Sequence, residues 1–183
     1  MRRLVFLFLL MAGPALADAR ADARRAEVDR LLGALKTAPN ETAAGMLETR
    51  IRHLWLEQGS PASALLMGRG MRDLEADAGQ EAENDFDAVL ALDPDFVEAF
   101  VARAMARFAQ ADYMGAVRDI EETLKREPRH FGAWQQLSRI AEARGDWKGA
   151  LAAWQKVLEI DPKTPDGQER LRILTRKAVG EST

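Results

Sequence analysis

The chain has 183 residues, 47% of them hydrophobic, with a formal net charge of −3 and no cysteine. The missing cysteines exclude disulfides, thiolate metal sites and a lipid anchor on cysteine, so packing alone must hold the fold. Mild acidity gives no electrostatic footprint for nucleic acid, and the length suits one domain with a sizeable core.

Residues 1–17 read as a signal peptide. Arg2 and Arg3 form a positive start, Leu4 to Met11 is apolar, and Gly13-Pro14 breaks the run. Ala15-Leu16-Ala17 then supplies a small-x-small cleavage site. The apolar run is far shorter than the ~20 residues that span a bilayer, so no permanent membrane anchor is expected. Cleavage after Ala17 would deliver a chain starting at Asp18, exported to a bacterial envelope, with the Gram-negative periplasm as its expected location.

The rest of the chain alternates poorly and is rich in Ala, Leu, Glu and Arg, so helices are expected throughout. Residues 22–37 predict a first helix with Val28, Leu31, Leu32 and Leu35 on one face. After Pro39-Asn40, residues 41–58 predict a second, with Leu47, Ile51, Leu54 and Trp55 as its stripe and Gly59 as its stop. Ser60 and Pro61 then cap and open a new helix.

From here the sequence repeats. Pro94, Pro128 and Pro162 lie 34 residues apart, and so do Ala82, Ala116 and Ala150, and Phe86, Ile120 and Trp154. Leu66, Phe100 and Trp134 share that spacing, as do Gly70, Ala104 and Ser138. A fixed period of this length marks stacked supersecondary units. Three repeats are predicted, at 63–96, 97–130 and 131–164, each a pair of helices. Asp112 and Asp146 are placed to cap second helices, and Asp95 with Glu98 to form a capping box. The alanines are expected where the two helices of a pair cross, with Ala153 off the crossing. Thr164-Pro165 opens a last helix, about 165–178, which should cover the open end of the stack with Arg170, Arg172, Arg176 and Lys177 facing solvent.

These residues resemble the tetratricopeptide repeat family. Phe131-Gly132-Ala133-Trp134, Gly145-Asp146-Trp147, Ala150, Trp154 and Asp161-Pro162 make the clearest copy. The middle copy keeps Asp112-Tyr113, Ala116, Ile120 and Pro128. The first keeps Leu66, Gly70, Ala82, Phe86 and Asp93-Pro94 but has Asp77-Ala78-Gly79 at its turn. The resemblance implies an all-α, right-handed superhelix of antiparallel helix pairs, with residues 18–59 as a degenerate leading repeat and 60–183 as three repeats plus a capping helix.

The resemblance also implies that the first helix of each repeat lines a concave groove. Projected onto that face are Met67, Met71 and Leu74, then Val101, Met105 and Phe108, then Gln135, Arg139 and Glu142. The face runs from apolar and Met-rich to polar, and methionine suits surfaces that accept varied apolar partners. The stripe has a second reading, as core packed against the preceding helix pair. The family's grip on C-terminal carboxylates uses Lys, Arg and Asn here; the first two repeats lack them, which argues against that ligand. Arg139 and Glu142, three apart, read as a local ion pair.

Nothing predicts catalysis. His53 and His130 are the only histidines and stand in different units. The former is placed for an i, i+4 contact with Glu57, the latter in an inter-repeat turn. No nucleophile motif, phosphate loop, metal site or cofactor is expected. The sequence therefore points to a non-enzymatic protein–protein interaction scaffold that binds a protein or peptide segment. The alternatives are a homo-oligomeric assembly factor and a small-ligand or enzymatic protein.

Overall fold

The computed structural model describes residues 13–180, with side chains from residue 19. Residues 1–12 of the expected signal peptide lie outside the described residues. Among the described residues there are nine helices and no strand. They are α1 (Gly13–Lys36), α2 (Glu41–Leu56), α3 (Pro61–Glu75), α4 (Gly79–Leu92), α5 (Val97–Ala109), α6 (Tyr113–Arg126), α7 (Phe131–Ala143), α8 (Trp147–Ile160) and α9 (Gly167–Val179). Among them none is long and apolar enough to cross a membrane.

The pairs α3–α4, α5–α6 and α7–α8 are antiparallel hairpins, α4 stacks on α5, α6 on α7, and α9 covers α8. The period explains this. Ala82, Ala116 and Ala150 have no exposed surface, and Phe86, Ile120, Val89 and Val157 are equally buried. A Cβ added to Gly70 would meet the Phe86 ring at 2.7 Å, so that crossing admits no side chain. Ser138 occupies the matching place in the third hairpin, where its hydroxyl donates to Ala150 O at 3.0 Å. Ala153, expected off the crossing, is buried too.

The turns repeat with the same period. Asp77, Ala111 and Gly145 all take a left-handed φ, at 58°, 61° and 73°. The next residue's N–H returns to the carbonyl of Asp73, Arg107 or Ala141, closing each first helix. The irregular Asp77-Ala78-Gly79 turn thus keeps the geometry of the others. Asp112 and Asp146 cap α6 and α8 as expected, each accepting from an N–H at 2.9 Å.

Two expected starts differ. Asp95 does not cap α5: the N-cap is Phe96, without a side-chain cap bond. Phe96 is 2% exposed, and its ring lies where a Cβ on Gly59 would be. Burying that ring starts the helix one residue late and leaves Asp95 on the surface, 3.2 Å from Arg126. Helix α9 begins at Gly167, after Asp166 takes a left-handed φ of 55°. Of its basic residues, Arg170 lies over the Trp154 ring and pairs with Glu142, and Lys177 sits over Trp147; Arg172 and Arg176 are exposed.

The leading hairpin departs most from expectation. It does not stack in front of α3 as a degenerate repeat. Instead α1–α2 lies across the edge of the solenoid formed by the inter-repeat turns, touching α5 and α8. One core joins Leu31, Leu35, Ile51 and Trp55 to Val97 and Phe131, the first residues of α5 and α7, with Ile160 packed alongside. Along α2 each turn is engaged in order. Just past its end Gln58 donates to Asp95 O at 3.1 Å, Trp55 stacks on His130 with ring centroids 4.0 Å apart, and the Glu48 carboxyl lies beside that of Asp161. The apolar stripes of both helices were correctly placed, but they close on the edge rather than the end of the stack. Full burial of an aliphatic side chain in this shared core is worth roughly 1.5–3 kcal/mol over leaving it exposed, a gain divided between closing the hairpin and docking it.

Candidate partner-binding groove

First helices α3 and α5 touch, as do α5 and α7; the second helices α4 and α6 make no comparable contact. The first helices therefore line the inner, concave side. The 34-residue register sets the candidate residues there in three rows.

The first row is Met67, Val101 and Gln135. Met67 and Val101 are each 7% exposed and belong to the cores of the first and second hairpins. Both are core and not open groove, because their side chains pack among the buried residues of those clusters. Gln135 is half-buried. The second row is Met71, Met105 and Arg139. Met71 is half-buried against the first core, Met105 is half-buried outside any core cluster, and Arg139 is exposed. The third row is Leu74, Phe108 and Glu142. Leu74 and Phe108 show one side and pack the other against core.

The polar end is wired differently from the local pair expected. Arg139 holds its guanidinium over the Phe108 ring, 5.6 Å from the centroid, and Glu142 is taken by Arg170 of α9. A cation over an aromatic face joins the apolar and polar parts of the groove. The hairpin α1–α2 does not fill it: the core it makes with the solenoid contains none of these nine residues.

Both histidines have neighbours that account for their places. His53 contacts Glu57 at 3.0 Å on the surface. His130 is 2% exposed and caps α7, its Nδ1 accepting from Ala133 N at 3.0 Å. A cleft of about 510 Å³ between α1–α2 and the start of α5 includes Arg24, Trp55, Asp95 and Arg126 in its lining. Its cations are already engaged: Arg24 donates to Glu57 O, and Arg126 pairs with Glu122 and Asp95.

Sequence reasoning missed an ionic ladder between the helices of the first two hairpins. Arg69 bonds Asp85, and 34 residues on Arg103 bonds Asp119. Asp119, 3% exposed, also accepts from Arg107, and α4 reaches across with Asp87 to Arg103 and Glu83 to Arg107. In the third hairpin Leu137 and Ala153 replace the pair. The 34-residue spacing of both charges was visible in the sequence.

Stacked helix pairs, crossing alanines and an inner face of first helices define a helical-repeat solenoid. The model of the tetratricopeptide repeat matches residues 131–164. A TPR repeat-containing protein of Rhizobium etli is 32% identical over 156 residues, which are 85% of this chain and 76% of that protein. The chain belongs to the tetratricopeptide repeat family. Among solved structures, the first TPR domain of Spaghetti bound to the HSP90 peptide SRMEEVD superposes with a TM-score of 0.62 at 18% identity, covering 66% of this chain and 96% of that one. The Sgt2 TPR domain from Aspergillus fumigatus gives 0.61 at 24% identity, covering 65% and 80%.

Proposed function

We propose that this protein is a non-enzymatic scaffold whose concave groove holds a segment of a partner protein. The carrying observation is the run Met71, Leu74, Met105 and Phe108, half-buried, left open by α1–α2 and ending at the exposed Arg139. Flexible apolar side chains on a rigid inner face suit an amphipathic or extended segment presenting apolar residues. The fold neighbour's peptide, SRMEEVD, is acidic. Arg139 is the one exposed cation among the nine groove residues, so a less acidic segment fits better.

Met105 is the position to test, because it faces the groove without belonging to a core. A charge there must be desolvated on binding, a penalty of a few kcal/mol. A photoreactive residue at Met71, crosslinked in the native envelope, should capture a defined partner, and Met105→Glu should abolish that capture with melting unchanged. Undiminished capture would refute the groove; a self-association lost in Met105→Glu would assign it to a second copy of the chain.

The setting we propose is the bacterial envelope, reached by export and cleavage after Ala17. The mass of the protein recovered from the envelope should fit a start at Asp18. A full-length chain in the membrane fraction would overturn this.

A further inference from the structure

Among the described residues, three of the four buried side-chain atoms without a hydrogen-bond partner lie on one seam. They are Glu48 Oε1, His130 Nε2 and Asp161 Oδ2, and all three sit where α2 meets the edge of the solenoid. A polar atom buried unpaired costs free energy that contact with water would return, so this seam works against its own closure. Its apolar part is supplied mostly from one side. The solenoid gives Val97 and Phe131 to the shared core, with Ile160 alongside, and the other residues belong to the leading hairpin. The cores of the three following hairpins include no residue of α1–α2. The chain between the two parts is Glu57–Ser60, and Ser60 stays with α3 through its N–H to the Asp93 carboxylate at 2.7 Å. The leading hairpin can therefore leave without dismantling the stack.

The contact between Glu48 and Asp161 decides when it leaves. Ionised carboxylates only accept, so two of them side by side cannot bond; a single proton between them makes a donor and joins both. Among the described residues, Arg52 is the one cation that acts on Glu48. It holds Glu48 Oε2 at 2.7 Å and lies over the Phe131 ring. Asp161 Oδ1 is taken by Lys163 N at 3.0 Å. The other charges around the seam are committed elsewhere. Asp29 of α1 pairs with Arg129, Lys156 of α8 pairs with Glu159, and Lys36 and Lys163 are exposed. His130 caps α7 with Nδ1 and has Glu98 3.4 Å from Nε2.

We propose that α1–α2 is a strap, latched to the solenoid edge by a proton shared between Glu48 and Asp161, which comes off as a unit when both carboxyls ionise and uncovers Val97, Phe131 and Ile160. Burial and the Asp161 contact raise the docked Glu48 carboxyl from 4.5 to about 7, and release returns it to its ordinary value. The docked form thus holds the proton more tightly. The latch is complete below about pH 4.5 and weakens as pH rises through about 7.

Hydrogen exchange of the full chain tests this, followed by mass spectrometry at pH 6 and pH 8 and corrected for intrinsic chemical rates. A detached pair of short helices protects its amides poorly. Amides of α1 and α2 should therefore lose protection about tenfold from pH 6 to pH 8, while the buried amides of α5–α8 keep theirs. Glu48→Gln should hold the strap at both pH values. Asp161→Asn, which removes the other half of the pair, should do the same. Protection in α1–α2 that does not change with pH would overturn the latch, and so would a change that persists in either folded variant. Loss of equal size in α1–α2 and in the solenoid would overturn the strap, since the chain would then open only as a whole.

Discussion

Glu48→Gln should make the protein more stable at pH 8 and less sensitive to pH. Glu48 is buried where α2 crosses the turn after α8, with the Asp161 carboxyl beside it and Arg52 on its other oxygen. Burial first, then the Asp161 contact, pushes its carboxyl from the usual 4.5 up to about 7, against the opposing pull of Arg52. The folded state therefore holds a proton that the unfolded chain gives up. The stabilising share of this group is complete below about pH 4.5, falls as pH rises, and is lost above about pH 7. At ~1.4 kcal/mol per pH unit the shift corresponds to about 3 kcal/mol across that window. Glutamine keeps the shape and donates to Asp161 at every pH. It gives up the Arg52 pair, worth ~0.3–0.5 kcal/mol, so a net gain of about 2–3 kcal/mol is expected at pH 8. Urea unfolding at pH 5 and pH 8, followed by tryptophan fluorescence and by helical circular dichroism, measures it. The difference between variant and parent removes the contribution of the titrating groups that do not touch Glu48 and isolates the Glu48–Asp161 pair. A variant less stable than the parent at pH 8, or pH curves that run parallel, would refute the shared proton.

Two further perturbations test the interior. Ala116→Leu should overpack the crossing of α5 and α6 and cost ~1–3 kcal/mol, read as a lower midpoint in urea at unchanged slope; an unchanged midpoint would reject the crossing. Asp119→Ala should leave Arg103 and Arg107 without their common acceptor and cost ~2–4 kcal/mol, whereas Asp87→Ala, at a half-exposed carboxylate, should cost under ~1 kcal/mol. Equal effects in thermal melts would mean that the ladder is ornamental to stability.

What the sequence disclosed was periodic. Ala82, Ala116 and Ala150 mark crossings because close approach of two backbones leaves room for little else, and that demand recurs in every unit. The helix caps Ser60, Asp112 and Asp146 were legible for the same reason: an orphan N–H needs an acceptor a few residues back, and this is a local requirement. The place of α1–α2 was not local. Its stripes announced an apolar face but not which face of the solenoid it would meet. The answer lay in residues of other units, such as His130 and Phe131, that looked like an ordinary turn and an ordinary helix start. A stacking aromatic pair between Trp55 and His130, 75 positions apart, has no signature in either neighbourhood.

The groove shows the same division. Helical projection placed nine residues on the inner face, but facing inward and being open are different properties. Met67 and Val101 are packed into the cores of their hairpins, whereas Met71 and Met105, one helical turn further along, keep a partly open side. Which of the two a residue meets depends on side chains of other helices, which no single helix records. Arg139 and Glu142 were paired on spacing alone, yet each has a better partner outside its helix: the Phe108 ring for the cation, and Arg170 for the carboxylate. An exposed i, i+3 pair is worth only ~0.2–0.5 kcal/mol, so contacts supplied by the next unit outweigh it. That exchange commits Glu142 to the capping helix and leaves Arg139 as the charged end of the groove, which is why the polarity of this surface is set by three helices together and not by any one of them.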